Sequence, residues 1–354
     1  MRRWPAVLAL GLLACSQTTA TATPAAKVTQ SAAASSPTPP AAPTETPKAP
    51  PTPGPVPPMQ DLPLSAVSFT CRLAVYTVDA GVTDWFVSFP DRTATIDVTG
   101  HDGRYYDYAI SHWVPAPREA VSHDGLHYAT IEATANDFVL HVLALATGKD
   151  TPIHLSFQAF NGQPGILDYS ADGIYLVNGF EHLDAGLWLV NPSTGQMSQV
   201  SKDIHPVLSA GNGIMWAQAV NPDDPHPVET GTSLGTLPNE IDRVDLRSGA
   251  RTAWLYDPGK GLRVIGLDGR GLPLVVETGG LTADVNARLL LVAQPDSPTS
   301  IYKGVIAQSI GGGITDSHGT WFGGQAGIYL YTNSGALLKV ADGPAYASLA
   351  NGCF

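Results

Sequence analysis

Cysteine, basic residues and long apolar runs are scarce in this sequence. These scarcities argue against a cysteine metal site, a nucleic-acid partner and a permanent membrane-spanning helix. Only three cysteines occur, at positions 15, 71 and 353, and their spacing is not that of a metal site. Lysine and arginine number 19 against 31 aspartate and glutamate residues, which gives a net charge of −12. Because nucleic acid requires a basic surface, we expect no nucleic-acid partner.

Helical periodicity is missing as well. No segment keeps apolar residues at a sustained 3.6-residue spacing, so we expect little helix. The apolar run Val7–Leu13 is too short to cross a bilayer as a permanent helix. Turn formers are abundant instead, with 36 glycines and 30 prolines. This composition favours short strands joined by turns.

The first 15 residues have the form of an export signal, with Arg2 and Arg3 ahead of the apolar run. Leu12-Leu13-Ala14-Cys15 resembles the lipobox of bacterial lipoproteins. The resemblance implies cleavage before Cys15, a lipid on its thiol, and a membrane-anchored, extracytoplasmic place in the bacterial cell envelope. The alternative is an ordinary secretory signal that happens to contain a cysteine.

Residues 16–63 are rich in alanine, threonine, serine and proline and have almost nothing apolar to bury. Such a segment is predicted to be disordered. Its later part, Pro37–Pro58, is dense in proline and should be extended. We interpret it as a tether between the membrane and a domain that covers residues 64–354.

A four-strand unit is clearest between Gly165 and Ser201. Short β-rich runs are separated by Asp172-Gly173 and Ser193-Thr194-Gly195, and Asp-Gly supplies the positive φ angles of a tight hairpin turn. Such a unit cannot bury its faces alone, so it predicts further copies. The predicted strands are Ile166–Tyr169, Ile174–Asn178, Gly186–Val190 and Gln196–Val200.

The unit recurs along residues 64–354, which predicts an all-β fold: a six-bladed β-propeller of four-stranded antiparallel blades. Two stacked sheets are the competing fold. Ser122-His123-Asp124-Gly125 and Ser170-Ala171-Asp172-Gly173 resemble the S-x-D-G turn of TolB-like and WD40-like propellers, which implies the fold and no activity. The segment Cys71–Tyr76 also resembles the C-R-L-x-V-Y segment of a set of bacterial lipoproteins. Turns of the Asp-Gly type recur at Asp124-Gly125, Asn212-Gly213, Asp268-Gly269, His318-Gly319 and Asn351-Gly352.

The first blade lacks an initial strand, and the C-terminus has one to offer. Ala345–Ala350 followed by Asn351-Gly352 has the form of a first strand and its turn, so the C-terminal strand should complete the first blade. This alignment brings Cys353 beside Cys71, and export places both thiols in an oxidising compartment. We therefore predict a Cys71–Cys353 disulfide, which the chain-entropy model values at roughly 4–5 kcal/mol.

No catalytic, cofactor-binding or metal-binding residue is assigned from the sequence. Gly231–Gly235 matches the G-x-S-x-G pattern of serine hydrolases, but it lies in a polar loop without a preceding strand or a following helix. The histidines do not form a pattern such as H-E-x-x-H. The cluster Asn221–Asp224 has oxygen ligands that suit calcium, although a solvated acidic loop explains it more simply.

Loop length distinguishes the two faces of the predicted propeller. Connections between second and third strands share one face with the connections between blades, and here they are long; the other face has only tight turns. We call the first the long-loop face and expect a binding surface there. For its aromatic residues, packing against the blades is an equal alternative. The candidates are Tyr105, Tyr106, Tyr108, Trp113, Glu181, Asp184, Asp223, Asp224 and Asp284.

These features favour a monomeric binding or scaffolding module for a protein, glycan or small-molecule ligand. The alternative is a propeller-type hydrolase or lyase at the mouth of the central channel, which would need convergent carboxylates and histidines with perturbed pKa values. A structural spacer in an envelope complex is a third reading. The sequence does not decide whether the protein is an enzyme.

Overall fold

Short strands joined by tight turns fill the C-terminal part of the chain. The computed structural model describes residues 62–78, 82–98, 103–134, 137–155, 163–177, 186–202, 207–230, 235–280 and 284–354. These strands form the six blades of a ring and one separate two-stranded sheet, and the predicted six-bladed β-propeller is confirmed. Among the described residues, no helix has the length and apolar character needed to span a membrane.

Blades 1 and 2 come from the first third of the described chain. Blade 1 contains β1 (Cys71–Thr77), β2 (Thr83–Phe89) and β3 (Thr93–Ile96). A separate hairpin follows, formed by β4 (Tyr105–Asp107) and β5 (His112–Val114). Blade 2 contains β6 (His127–Ala133), β7 (Phe138–Ala144) and β8 (Asp150–Leu155).

Blades 3 to 6 each contain four consecutive strands, all paired antiparallel. Blade 3 contains β9 (Gly165–Ser170), β10 (Gly173–Val177), β11 (Leu187–Val190) and β12 (Met197–Ser201). Blade 4 contains β13 (Val207–Gly211), β14 (Ile214–Ala219), β15 (Glu240–Asp245) and β16 (Arg251–Tyr256). Blade 5 contains β17 (Gly261–Leu267), β18 (Pro273–Thr278), β19 (Arg288–Val292) and β20 (Pro298–Lys303). Blade 6 contains β21 (Ile310–Asp316), β22 (Gly319–Gly324), β23 (Gly327–Thr332) and β24 (Leu337–Ala341), after the one-turn helix α1 (Ile306–Ser309).

The last strand, β25 (Ser348–Cys353), returns to blade 1 and pairs antiparallel with β1. The chain end remains in the sheet, because Arg72 and Phe354 exchange two backbone hydrogen bonds of 2.9 and 3.2 Å. Cys71 and Cys353 are joined by a disulfide across 282 residues, with their α-carbons 5.5 Å apart. The predicted closure and disulfide are therefore both present.

The expected register of this closing strand is wrong in one detail. Asn351 and Gly352 are not a turn but part of the extended strand β25, which begins at Ser348. The carboxylate of Asp316 explains this, because its Oδ2 accepts a hydrogen bond from the Cys353 amide at 2.7 Å. On the other side, the Asn351 side chain donates to the carbonyl of Tyr106 at 2.8 Å.

Blade 2 departs from the four-stranded pattern. Its sheet has three strands, and a single bridge between Val121 and Tyr128 stands in place of an inner strand. The long connection that carries the candidates Tyr105 to Trp113 is not all loop, since it contains the hairpin β4–β5. That hairpin contacts β25, and the 3-10 turn Arg118–Ala120 contacts β9. Together they fill the inner side of the ring between blades 1 and 3.

Apart from Asn351-Gly352, hairpin turns form at the Asp-Gly and Asn-Gly pairs that predict them. Asn212 and Gly213 both have positive φ angles, 55° and 75°, and they join β13 to β14. In the S-x-D-G turn of blade 2, the Ser122 hydroxyl donates to the Asp124 carboxylate at 2.6 Å. Local side-chain chemistry therefore determines these hairpins.

The hydrophobic core lies between adjacent blades. One cluster joins blade 6 to blade 1 and contains the fully buried Trp321 together with Val75 and Leu349. A second joins blades 4 and 5 through Trp216 and Val275. Burying each large apolar side chain contributes about 2–3 kcal/mol, so the interfaces between blades rather than the single sheets stabilise the ring.

Residues before β1 cover an exposed sheet edge. Leu64 forms a parallel bridge with Lys339 of β24, the outermost strand of blade 6, and the Ser65 amide donates to the Lys339 carbonyl at 2.8 Å. Phe69 then stacks on His318, with ring centroids 4.1 Å apart. The segment shields backbone groups that would otherwise invite pairing with another chain.

Candidate functional site

The four aromatic candidates of the long-loop face differ in how deeply their side chains are buried. Tyr106 and Trp113 are only 8% and 5% exposed, and they form a cluster with Phe86 and Ala350. The indole nitrogen of Trp113 donates to Asp97 Oδ2 at 3.0 Å. The expectation that these two side chains belong to an open binding face therefore gives way to the packing alternative.

Tyr105 and Tyr108 remain partly exposed beside that cluster. The Tyr108 hydroxyl donates to the Gly352 carbonyl, and its ring stacks on Phe354 at 3.8 Å. Burial raises the pKa of Tyr108 above its usual range, and burial followed by the nearby Asp107 raises the pKa of Tyr105. Both phenols stay neutral near pH 7 and connect the β4–β5 hairpin to its neighbours.

The acidic candidates behave in three ways. Asp224 is buried and holds its own loop, accepting hydrogen bonds from the amides of His226 at 2.8 Å and Gly259 at 3.1 Å. Asp284 accepts from the Gly279 amide at 2.7 Å. Asp223 is exposed. The remaining two candidates, Glu181 and Asp184, lie outside the described residues.

The amide hydrogen bonds have an electrostatic consequence for Asp224. The bond from His226, followed by the one from Gly259, holds the pKa of the Asp224 carboxyl below its ordinary value. A carboxylate used in this way stabilises the loop between β14 and β15. We therefore assign Asp224 to the shape of the long-loop face.

A buried acid–arginine group at the start of β15 escaped sequence reasoning. Asp242 is 1% exposed, and Arg251 Nε lies 2.7 Å from its Oδ2. Glu240 precedes it on the same face of the strand and lies 3.3 Å from Arg251 Nη2. Burial raises the pKa of Asp242 to about 6 against the opposing effect of Arg251. The sequence signal that could have indicated this group is the set of charged residues within the strand segment Glu240–Asp245.

A second group lies between blades 4 and 5. The buried Glu277 accepts a hydrogen bond from Arg288 Nε at 2.8 Å, and Asp257 lies 3.6 Å from the same guanidinium. Burial, followed by the neighbouring Glu277, raises the pKa of Asp257 to about 6. Both groups lie near the long-loop face, since Asp257 belongs to a connection between blades and Glu277 is near the end of a second strand.

Two charged residues lie at the long-loop end of the central channel. Arg263 is on β17, the innermost strand of blade 5, and Glu119 is in the 3-10 turn that precedes the inner bridge of blade 2. Both side chains are exposed to water. Nevertheless, burial raises the pKa of Glu119 and lowers that of Arg263. This combination is expected of charged groups inside a water-filled channel.

The opposite face carries a histidine–aspartate pair. His123 Nε2 lies 2.7 Å from Oδ1 of the buried Asp168, and burial raises the pKa of that carboxyl. The neighbouring Ser122 hydroxyl is engaged with Asp124 and does not form part of a Ser–His pair. Within the described residues, no group of histidine, cysteine and acidic side chains has the arrangement of a metal site.

The strand order defines the protein class as a six-bladed β-propeller. Several solved structures are similar to the chain at low identity. TolB from Acinetobacter baumannii is 12% identical with a TM-score of 0.41, over 77% of this chain and 67% of that one. The propeller domain of the Trilobed protease from Pyrococcus furiosus is 11% identical with a TM-score of 0.42, over 80% and 85%. A prolyl endopeptidase is 13% identical with a TM-score of 0.39, over 77% of this chain and 40% of its own. No protein-family model and no curated protein matches the sequence.

Proposed function

We propose that this protein is a lipid-anchored, extracytoplasmic propeller of the bacterial cell envelope that binds a protein, glycan or small-molecule ligand on its long-loop face. One observation carries the proposal: the described part of the connection between β14 and β15, residues 220–230 and 235–239, is held by hydrogen bonds of its own side chains. Asp224 accepts from the amide of Gly259, in the connection between blades 4 and 5, and the Asn239 side chain donates to Asp224. A surface that is ordered before binding loses less entropy when a ligand arrives.

The anchoring part of the proposal is supported by the export signal and the lipobox-like segment ending at Cys15. The Cys71–Cys353 disulfide agrees with it, because disulfides persist mainly outside the reducing cytoplasm. Replacing Cys15 by Ser should release the protein from the membrane fraction or leave its signal uncleaved. The neighbouring Ser16→Ala variant keeps the cysteine and should remain in the membrane. Normal processing and membrane retention of Cys15→Ser would refute the anchor.

The binding part is tested by comparing the two faces. A photo-crosslinking residue at Asp223, exposed on the long-loop face, should capture a partner in intact cells. The same residue at Ser193, exposed in a tight turn on the opposite face, is the matched control. Capture from Asp223 alone supports the proposal. Capture from Ser193 alone, or from both positions equally, contradicts it.

A hydrolase or lyase at the channel mouth is the second candidate, and one observation favours it. Glu119 is open to water, yet burial raises the pKa of its carboxyl, as a general acid requires. If the protein turns over a glycan or peptide substrate through this group, Glu119→Gln should reduce kcat by at least about 100-fold. An activity that survives Glu119→Gln would exclude this role.

A further inference from the structure

The guanidinium of Arg263 lies where two inner strands of the propeller begin. Arg263 is the third residue of β17, and its Nη2 donates to the carbonyls of Gln308 at 3.3 Å and Ile310 at 3.0 Å. Ile310 is the first residue of β21, the innermost strand of blade 6. The side chain therefore crosses from blade 5 to blade 6 at the long-loop end of the channel.

These two carbonyl contacts fix the guanidinium and leave part of it free. Both acceptors are bound by Nη2, so the contacts use one nitrogen of the group. Nε and Nη1 have no protein acceptor among the described residues, and Arg263 as a whole is exposed to water. An arginine held in this way presents its remaining donors in one orientation, which lowers the entropy lost on ligand binding.

Within the part of the chain that the structure describes, Arg263 has no carboxylate partner, although the protein is acidic. Several other arginines are neutralised by an acid, as Arg270 is by Asp268 at 2.7 Å and Arg251 by Asp242 at 2.7 Å. For Arg263, burial alone perturbs the pKa, and it lowers it because no nearby negative charge offsets the lost hydration. An anion placed beside the guanidinium would supply the missing charge.

The chain leaves room beside the free donors. Gly311, next to Ile310 on β21, has no side chain, and a Cβ at that position would lie 3.4 Å from Arg263 Nη1. The next residue, Gly312, has open space where a Cβ would be. Any larger side chain at Gly311 would cover Nη1, so the glycines keep this side of the guanidinium accessible.

We propose that Arg263 forms an oxyanion site at the long-loop end of the channel and binds the carboxylate or phosphate group of a ligand that enters there. Nη1, on the side that Gly311 leaves open, donates to the anion, while Nη2 keeps its carbonyl contacts. Charge-assisted hydrogen bonds of this kind are the strong ones in proteins. The site is separate from the loop residues of the proposed function, so either can be refuted without the other.

The test uses NMR of the whole propeller domain with ¹⁵N-labelled arginine at pH 6 and low salt. The Nε–H signal of Arg263 is identified as the one missing from Arg263→Lys. N-acetylglycine, inorganic phosphate and the neutral N-acetylglycinamide are titrated separately. We expect a saturable shift of this signal with at least one anion, with a Kd on the order of millimolar for so small a probe, and none with the amide. The anion that binds more tightly identifies the source chemistry.

The second part of the test compares the anion affinities of two variants. Arg263→Gln should weaken binding of the preferred anion, followed through backbone amide signals of Gly311 and Gly312, by at least about tenfold. Arg270→Gln removes one positive charge from the same blade but not from the channel, and its affinity should stay within about twofold, because an exposed charge acts weakly at a distance. The proposal is overturned if neither anion gives a saturable shift, if the amide gives the same shift, or if both variants bind equally well. The titration of the unmodified protein decides the matter even if Arg263→Gln does not fold.

Discussion

Trp113 shows how an aromatic residue of a long connection becomes part of the core. It pairs across the β4–β5 hairpin with Tyr106, contacts Phe86, and donates its indole N–H to Asp97. A buried tryptophan with a satisfied N–H contributes through both its apolar area and its hydrogen bond. The position is therefore important for stability and not available for a ligand.

Replacing Trp113 by Ala should lower the free energy of unfolding by about 3–5 kcal/mol, because it leaves a large cavity and removes the hydrogen bond from the indole N–H to Asp97. The measurement is urea unfolding followed by tyrosine and tryptophan fluorescence. Leu126→Ala, at a turn residue that is 58% exposed, is the control and should change stability by less than about 0.5 kcal/mol. A Trp113→Ala protein as stable as this control would contradict the packing role.

At the scale of elements, ring closure depends on how closely β25 approaches blade 6. A Cβ at Gly323 of β22 would lie 1.8 Å from the carbonyl oxygen of Ala347, just before β25 begins. No rotation of a side chain can relieve that contact, because both atoms are fixed by the backbone. Glycine is required here by close approach of two chain segments.

Gly323→Ala should therefore displace the start of β25 and destabilise the protein by about 1–3 kcal/mol or more. Gly280→Ala is the matched control, since nothing lies within 4 Å of a Cβ there. It should leave stability unchanged or raise it by up to about 1 kcal/mol, because alanine restricts the unfolded chain. Urea unfolding under oxidising conditions measures both variants. If Gly323→Ala were as stable as Gly280→Ala, the ring would be able to close with a greater distance between β22 and β25.

At the scale of the whole molecule, the pH dependence of stability follows from the two buried acid groups. The pKa values of Asp242 and Asp257 are each raised to about 6, whereas both are near 3.9 in an unfolded chain. Between these values the folded protein binds more protons than the unfolded one. The free energy of unfolding should therefore fall as the pH rises from about 4 to about 7.

Thermal unfolding at half-unit pH steps measures this effect. The fall in Tm between pH 4 and pH 7 should be smaller in Asp242→Asn, because asparagine cannot ionise. It should be the same as in the parent protein in Asp223→Asn, because Asp223 is exposed. Acids with lowered pKa values, such as Asp224, act in the opposite sense but only below about pH 4. A Tm that rises between pH 4 and 7 in the parent protein would contradict the assignment of the buried groups.

The parts of the fold that the sequence determined by itself are those encoded in adjacent residues. Asp172-Gly173 and Asn212-Gly213 set hairpin turns because their own backbone preferences favour them, and their spacing counts the blades. Cys71 and Cys353 predicted the closure of the ring, because two cysteines at the ends of one repeat array lie side by side once the array forms a ring.

Only the tertiary structure decided what each loop residue does, because burial and charge pairing depend on which blades meet. Whether Trp113 is exposed depends on Phe86, 27 positions away on another strand. Arg263 contacts carbonyl groups at the start of the next blade, and no described acid lies beside it. No local pattern records such contacts, since segments far apart in sequence come together only when the ring closes.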